Sequence, residues 1–322
     1  MASSGSYNFA VTRDDLIKAA LQYVGIVGEG ITPSANQVTE AALLLNMIVK
    51  LREADGMPLW ALKRGFILPF SGASSINSDS HVVTAYDTTT LSAASAASDT
   101  TLTVTSITGF SASDQIGIEL DDGSIDWTTV NGAPSGTTIT ITTGVTSAAA
   151  SGNRVYGYTA SSERVQKPLR ILQANTLEVS SGISTEIKSD MSITDYWNLS
   201  SRTSEGEPNT LVYTPRPSSD TALETNGIFY VWPRFQDGKT IIEFTYHRPF
   251  MDFDASTDNP DFPQAFYLPL MLELAVLLGA TGGISIEERR ELRKEAAYYL
   301  EQALFTVAPE GSFRMVPDTR GN

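Results

Sequence analysis

Few side chains in this sequence have the type and spacing to do chemistry: His81 and His247, the aspartate run Asp252, Asp254, Asp258 and Asp261, and the adjacent pair Asp121 and Asp122. Acyl transfer would need a nucleophilic serine beside a base, yet no G-x-S-x-G occurs. His81 lies in a Ser-rich stretch and His247 in the β run FTYHRP, so both are expected to be structural. The aspartate run tempts a calcium reading, but aligned on Asp252 it has Thr257 where an EF-hand loop needs Gly and Pro263 where it needs Glu. The expectation is a turn-rich lead-in whose Asp261 caps the following helix, with Pro263 in its first turn. Asp121 and Asp122 could serve glycoside hydrolysis, but in DDGS between two β runs a hairpin turn accounts for them. GATGG, from Gly279 to Gly283, follows a helix and suits a C-cap better than a phosphate loop. The absence of cysteine excludes thiolate nucleophiles, disulfides and Cys-based zinc sites. No catalytic, cofactor-binding or metal-binding set is expected.

The elements that carry these residues begin with helices. From Thr12, the residues Leu16, Ile17, Ala20, Leu21 and Val24 fall on one helical stripe, with Thr12 and Asp15 spaced as a capping box and Gly25 near the stop. A second helix starts near Ser34, boxed by Gln37, and runs to about Asp55 before Gly56. Its apolar positions include Leu43, Leu44 and Met47 as well as Leu45, Ile48 and Val49, so it is apolar on two faces. A central core helix is the plain reading, and a helix that also meets a neighbouring subunit is the other.

From Ser71 to Ser98 the composition shifts to Ser, Ala, Thr and Asn, and then β runs follow: TLTVTS, QIGIEL, IDWTTV, TTITITT and RVYGYT. Asp122-Gly123, Asn131-Gly132 and Ser135-Gly136 punctuate them as turns. TTLTVT and TTITIT echo each other, which is read as β-propensity and not as a repeat. A second β region spans Lys167 to Phe253. An apolar helix from about Pro263 to Leu278 follows, then a helix from Ser285, boxed by Glu288, whose charged part EERRELRKE reads as a solvated face.

The 322 residues suggest two or three packed units, and a net charge of -15 argues against gripping nucleic-acid backbone. The first residues lack the pattern of a signal peptide, and the run Phe266–Leu278 is read as too short for a membrane span and contains Glu273. A soluble protein without a membrane anchor, synthesised in a cytoplasm, is expected. The fold expected is α+β: a helical bundle formed from both chain ends (1–70 and 258–322), an inserted β-hairpin-rich module (71–160) and a β domain (161–257).

One polar stretch, DYWNLSSRTSEGEPNTLVY from Asp195 to Tyr213, carries aromatics at its ends that are costly to leave in water. It has an aromatic pair before a Thr-Ser-x-Gly-x-Pro loop, and is followed by a Tyr-Val-Trp-Pro strand end, a Tyr-x-Arg-Pro strand end and Asp-Asn-Pro-Asp-Phe-Pro leading into a helix. In these parts, from about Lys167 to Leu278, the chain resembles the head-to-tail adaptor proteins of short-tailed bacteriophages, the ring subunits that join the portal to the tail. The resemblance does not cover Ser71 to Ala160.

It implies a virion protein without catalysis, assembled as a ring, most often of twelve copies, with portal protein, tail nozzle protein and tail fibres as partners. DNA would pass through the ring without being specifically bound, and acidity would keep the duplex from adhering to the wall. Tyr196, Trp197 and Tyr213 would anchor the polar loop on the β core. Leu43, Leu44 and Met47 are candidate subunit contacts. Phe313, Met315 and Val316, in a tail with no helical period, are candidate portal-docking residues. The competing expectation is a tail-borne glycan-binding or polysaccharide depolymerase β protein, which would invest less of its chain in helices.

Overall fold

The computed structural model describes residues 9–54, 61–78, 80–215, 227–261 and 263–307. It is a mixed α+β protein whose chain divides into two compact units, residues 1–61 with 250–322, and residues 62–249 between them. The described helices are α1 (Arg13–Tyr23), α2 (Ala35–Ala54), α3 (Ile193–Trp197), α4 (Tyr267–Gly282) and α5 (Ile286–Val307).

Local hydrogen bonding starts the three helices for which a capping box was expected. The Thr12 side chain accepts from the Asp15 N–H while the Asp15 carboxylate accepts from the Thr12 N–H. Ser34 and Gln37 exchange the same pair of bonds ahead of α2, and Ser285 and Glu288 ahead of α5. Each box satisfies orphan amides of a first turn, worth about 1 kcal/mol per cap. Gly25 just after α1 and Gly283 at the C-cap of α4 take positive φ, which a side chain resists.

α1, α2, α4 and α5 share one hydrophobic core that includes Ile17, Leu21, Leu45, Val49, Leu274 and Leu292. An ion pair between Arg52 and Glu273 joins α2 to α4. Phe250 and Phe253 are buried in this core, and the Asn46 side chain bonds both backbone groups of Phe253. The helical unit therefore begins again at 250 and not at 258. With its 3₁₀ lead-in, the stretch Gln264–Gly282 is by length and composition apolar enough to cross a membrane, and half of it is buried. It exceeds the expected run because the helix continues through Gly279 to Gly282.

Asp261 does not cap that helix. Pro263 stands at the cap without a side-chain bond, and Asp261 Oδ2 accepts from the Met251 N–H instead, folding the aspartate run back on its own start. Asp258 Oδ2 accepts from the N–H groups of Asp254 and Ala255, and Asp252 pairs with Lys50 at 2.9 Å. These carboxylates are held by backbone and lysine.

In the second unit, a five-stranded antiparallel sheet runs in the spatial order Ser184–Ile187, Arg170–Glu178, Thr240–His247, Leu62–Ile67, Val82–Val83. Residues 62–67, expected to belong to the helical-bundle domain, form a strand of this sheet; Leu62 pairs with His247 and Ile67 with Ile242. A three-stranded sheet orders Thr210–Thr214, Ile228–Trp232, Ser75–Asn77. A four-stranded sheet orders Asp87–Thr90, Arg154–Tyr158, Gln115–Glu119, Ile125–Thr129. The two echoing runs pair with each other, Leu102 opposite Ile139, so alternate residues Leu102 and Ile139 enter the same core.

The Ser- and Ala-rich segment 71–98, in which no β run was expected, contributes strands at 75–77, 82–83 and 87–90, each part of a sheet. The stretches 71–160 and 161–257 do not separate. Val83, Ile125, Tyr156 and Tyr158 of the first and Ile241 of the second share one buried cluster with Leu68. The expected helix stop at Asp55-Gly56 lies outside the described residues.

Candidate functional site

Ser192 caps α3 by accepting from the Asp195 N–H at 3.1 Å, and that single turn directs Tyr196 inward and Trp197 outward. Tyr196 is 1% exposed, with its ring centroid 4.9 Å from Tyr230, while Trp197 is 50% exposed and lies 5.4 Å from the same ring. The Arg202 guanidinium sits 4.8 Å over Trp197. A cation held on an indole face gains about 0.5–1 kcal/mol at an exposed site, so this contact folds the loop over its own tryptophan.

The far side of the loop is held by backbone. Trp232 Nε1 donates to the Ser201 carbonyl at 2.8 Å, Arg234 N–H donates to the Ser204 carbonyl at 2.9 Å, and Glu205–Gly206 pairs in parallel with Arg234–Phe235. Trp232 is the anchor that sequence reasoning missed; its signal was the Tyr-Val-Trp-Pro strand end, read only as a motif. Tyr213 packs on Phe229 at 4.7 Å and donates to the Pro168 carbonyl at 2.6 Å, inside the β core. Burial pushes its phenol pKa well above the ordinary value. Ser200, Ser201, Arg202 and Thr203 remain exposed at the loop tip.

In the helical unit, α2 divides the residues expected to act together. Leu44 is half-buried against the core, whereas Leu43, Met47 and Leu51 are 59%, 56% and 57% exposed. Spaced by four, these three form one apolar stripe on the face away from Leu45 and Val49. Leu51 was not among the expected contacts, although the i, i+4, i+8 spacing contains it. Phe313, Met315 and Val316 lie outside the described residues.

The histidines are built into the sheets. His81 takes φ +54, stacks on Trp127 at 3.9 Å and 22°, and its Nδ1 lies 3.2 Å from the Tyr158 hydroxyl. Burial, with Arg164 nearby, lowers its pKa to about 4. His247 Nε2 accepts from the Arg170 guanidinium at 3.2 Å, and burial together with that charge lowers its pKa. At neutral pH both are neutral imidazoles held in place.

The pair Asp121 and Asp122 serves the turn. Asp122 accepts from the Ser124 N–H and hydroxyl, bonds that hold its pKa below the usual carboxylate range. Asp121 Oδ1 accepts from the Ala150 N–H at 2.7 Å and the Asn153 amide at 3.0 Å. No protein-family model matches this chain, and no curated protein matches it.

Proposed function

We propose that the chain is a structural subunit that acts by assembly, with its helices forming a bundle from both chain ends and the β unit inserted between them in sequence. More particularly, we propose a head-to-tail adaptor of a short-tailed bacteriophage: a ring subunit, twelve per ring, located in the virion between the portal and the tail nozzle. It carries out no catalysis, and DNA passes through the ring without being specifically bound.

The observation that carries the assembly reading is the stripe Leu43, Met47 and Leu51, three large apolar side chains more than half exposed on a helix whose opposite face is core. Such a stripe is costly in water and is relieved by a protein surface. The aromatic-pinned loop 195–213, one of the parts that carry the resemblance, supports the adaptor reading: its anchors are fixed while Ser200, Ser201, Arg202 and Thr203 are exposed. The net charge of -15 suits a wall past which DNA slides.

Electron microscopy of virions tests this reading. Density for this chain in a ring at the head-to-tail junction is the expected result, and finding it in a fibre or in the capsid shell overturns it. Truncation after Thr306 with measurement of portal binding tests the docking role proposed for Phe313, Met315 and Val316.

A further inference from the structure

One helix of the helical unit, α5, carries opposite charges on its two flanks. On one flank it forms, with the end of α1, a groove of about 1000 Å³ whose apolar lining includes buried Leu292, half-buried Ile284 and exposed Tyr298. Glu287, Glu288, Glu291 and Glu295 rim this groove against the single cation Lys294. Glu288 accepts from the Ser285 N–H, Glu291 holds Lys294 at 2.7 Å and Glu295 accepts from the Tyr23 hydroxyl at 3.1 Å. An amide, a phenol and one lysine leave four carboxylates an anionic rim.

The other flank is cationic. At about 100° per residue, Ile286, Arg290, Arg293 and Ala297 fall within about 60° of one another, and the core stripe of Leu292, Ala296 and Ala303 lies between them and the glutamates. All four are exposed, Ile286 to 64%. Among the described residues Arg290 and Arg293 have no ion pair. The next carboxylate on that side of α5, Glu301, stands about 12 Å beyond Arg293 along the axis.

The charge of the whole chain narrows the choice of occupant. At -15, two copies repel each other unless a cationic patch of one meets an anionic patch of the next. The α2 stripe does not supply that patch: its Lys50 is paired with Glu53 and Asp252 and donates to the Phe250 carbonyl, and exposed Glu40 stands on the same face. The arginine flank of α5 is free to do so. Its register also matches. Cyclic symmetry about an axis parallel to α5 keeps equivalent residues of neighbouring copies at one height. At 1.5 Å per residue, Arg290 then stands about 4.5 Å along the axis from Glu287 and about 1.5 Å from Glu291, and Arg293 stands about 3 Å from both Glu291 and Glu295. No sliding of one helix past the other is needed. Packing like flanks together would instead set arginine on arginine or glutamate on glutamate.

We infer that α5 of one copy packs beside α5 of a second copy, with Arg290 and Arg293 facing Glu287, Glu291 and Glu295 and with Ile286 and Ala297 against the groove wall at Ile284 and Tyr298. This rests on the reading of the chain as an assembling subunit and names the two faces that meet. Burial of the apolar residues supplies attraction, while the exposed charges fix register and orientation, as they do along a coiled-coil seam. Because the two flanks differ, the contact is heterologous: each copy offers arginines to one neighbour and a groove to another, which closes into a ring or continues as a filament.

The cysteine-free sequence makes the test direct. Full-length Ala297→Cys and Tyr298→Cys variants, both at exposed positions, are oxidised separately and mixed at millimolar concentration. The mixture is expected to give disulfide-linked dimers, with none from either variant alone. Arg290→Glu with Arg293→Glu in the Ala297→Cys chain should lower the yield severalfold, and Glu287→Lys with Glu291→Lys in the Tyr298→Cys chain should restore it. These reversals leave the Ser285–Glu288 cap intact. Dimers from one variant alone would show that like flanks pair and overturn the inference. A mixture without dimers, or a yield that the arginine reversal leaves unchanged, overturns it as well. Loss of portal binding on arginine reversal, in a protein that gives no dimers, would assign the flank to the portal instead. Charge-dependent dimers from a chain that microscopy places away from the junction would remove the adaptor reading and leave this contact standing. A chain at the junction that gives no dimers would do the reverse.

Discussion

Acidification should loosen the β unit through one residue, His81. Its imidazole stacks on Trp127 and meets the Tyr158 hydroxyl, and burial beside Arg164 lowers its pKa from 6.5 to about 4. A histidine whose folded pKa is depressed leaves stability constant above the unfolded value. As pH falls through 6.5, the unfolded chain takes up a proton that the folded chain refuses, and stability declines until the folded pKa is reached. At 1.36 kcal/mol per unit the loss between pH 6.5 and 4 is about 3 kcal/mol, a large part of a domain's stability. Carboxylates such as Asp122, whose pKa is lowered by Ser124, also cost stability as pH falls, so the histidine must be isolated by difference. His81→Asn suits this, because φ +54 is a conformation that asparagine tolerates and histidine's titration is removed. The assay is amide hydrogen exchange in strands 115–119 and 154–158 of both proteins from pH 7 to 4, corrected for intrinsic exchange. The variant should be the less stable at pH 7, having lost the stack, and the gap should close by about 3 kcal/mol toward pH 4. Parallel stability curves, or a His81 proton resonance titrating near 6.5, would refute the reasoning.

Three further outcomes follow from named contacts. Met47→Asp should change the stability of the isolated subunit by less than about 0.5 kcal/mol while reducing self-association in sedimentation, whereas Leu45→Ala, at a fully buried site on the opposite face of α2, should cost about 2–5 kcal/mol in urea unfolding. Tyr196→Phe removes a buried hydroxyl that has no hydrogen-bond partner and should leave thermal stability unchanged or slightly raised, while Tyr196→Ala should expose the 195–213 loop to protease. Gly117→Ala would bring a Cβ to within 2.8 Å of the Trp127 ring, so a loss of about 1–3 kcal/mol, accompanied by a changed tryptophan emission, is expected.

What the sequence determined by itself is the local layer. Thr12 with Asp15, Ser34 with Gln37 and Ser285 with Glu288 placed three helix starts, because a capping box is closed by groups three residues apart. The turns at Gly123, Gly132 and Gly136 were legible because positive φ selects glycine, and the β runs around them because alternation has a period of two. The α2 stripe was partly legible: the two-faced pattern contained Leu43 and Met47, but also Leu44, which the core claims in part.

Only the tertiary structure decided which surfaces meet. Residues 62–67 are a strand because Thr240–His247, some 180 positions away, supplies their hydrogen bonds and covers Ile67, a partner that no local window contains. The Ser- and Ala-rich stretch after Ser71 is drawn into three sheets for the same reason, its backbone groups finding partners that its side chains do not announce. Asp261 had the position of a cap but was taken by the Met251 N–H, a competitor brought near by the fold of the aspartate run. His81 stood in a polar segment and became a half-buried neutral imidazole because Trp127 and Tyr158, distant in sequence, pack against it. Spacing along the chain encodes bonds within a few residues, while burial depends on which distant surface arrives first to exclude water.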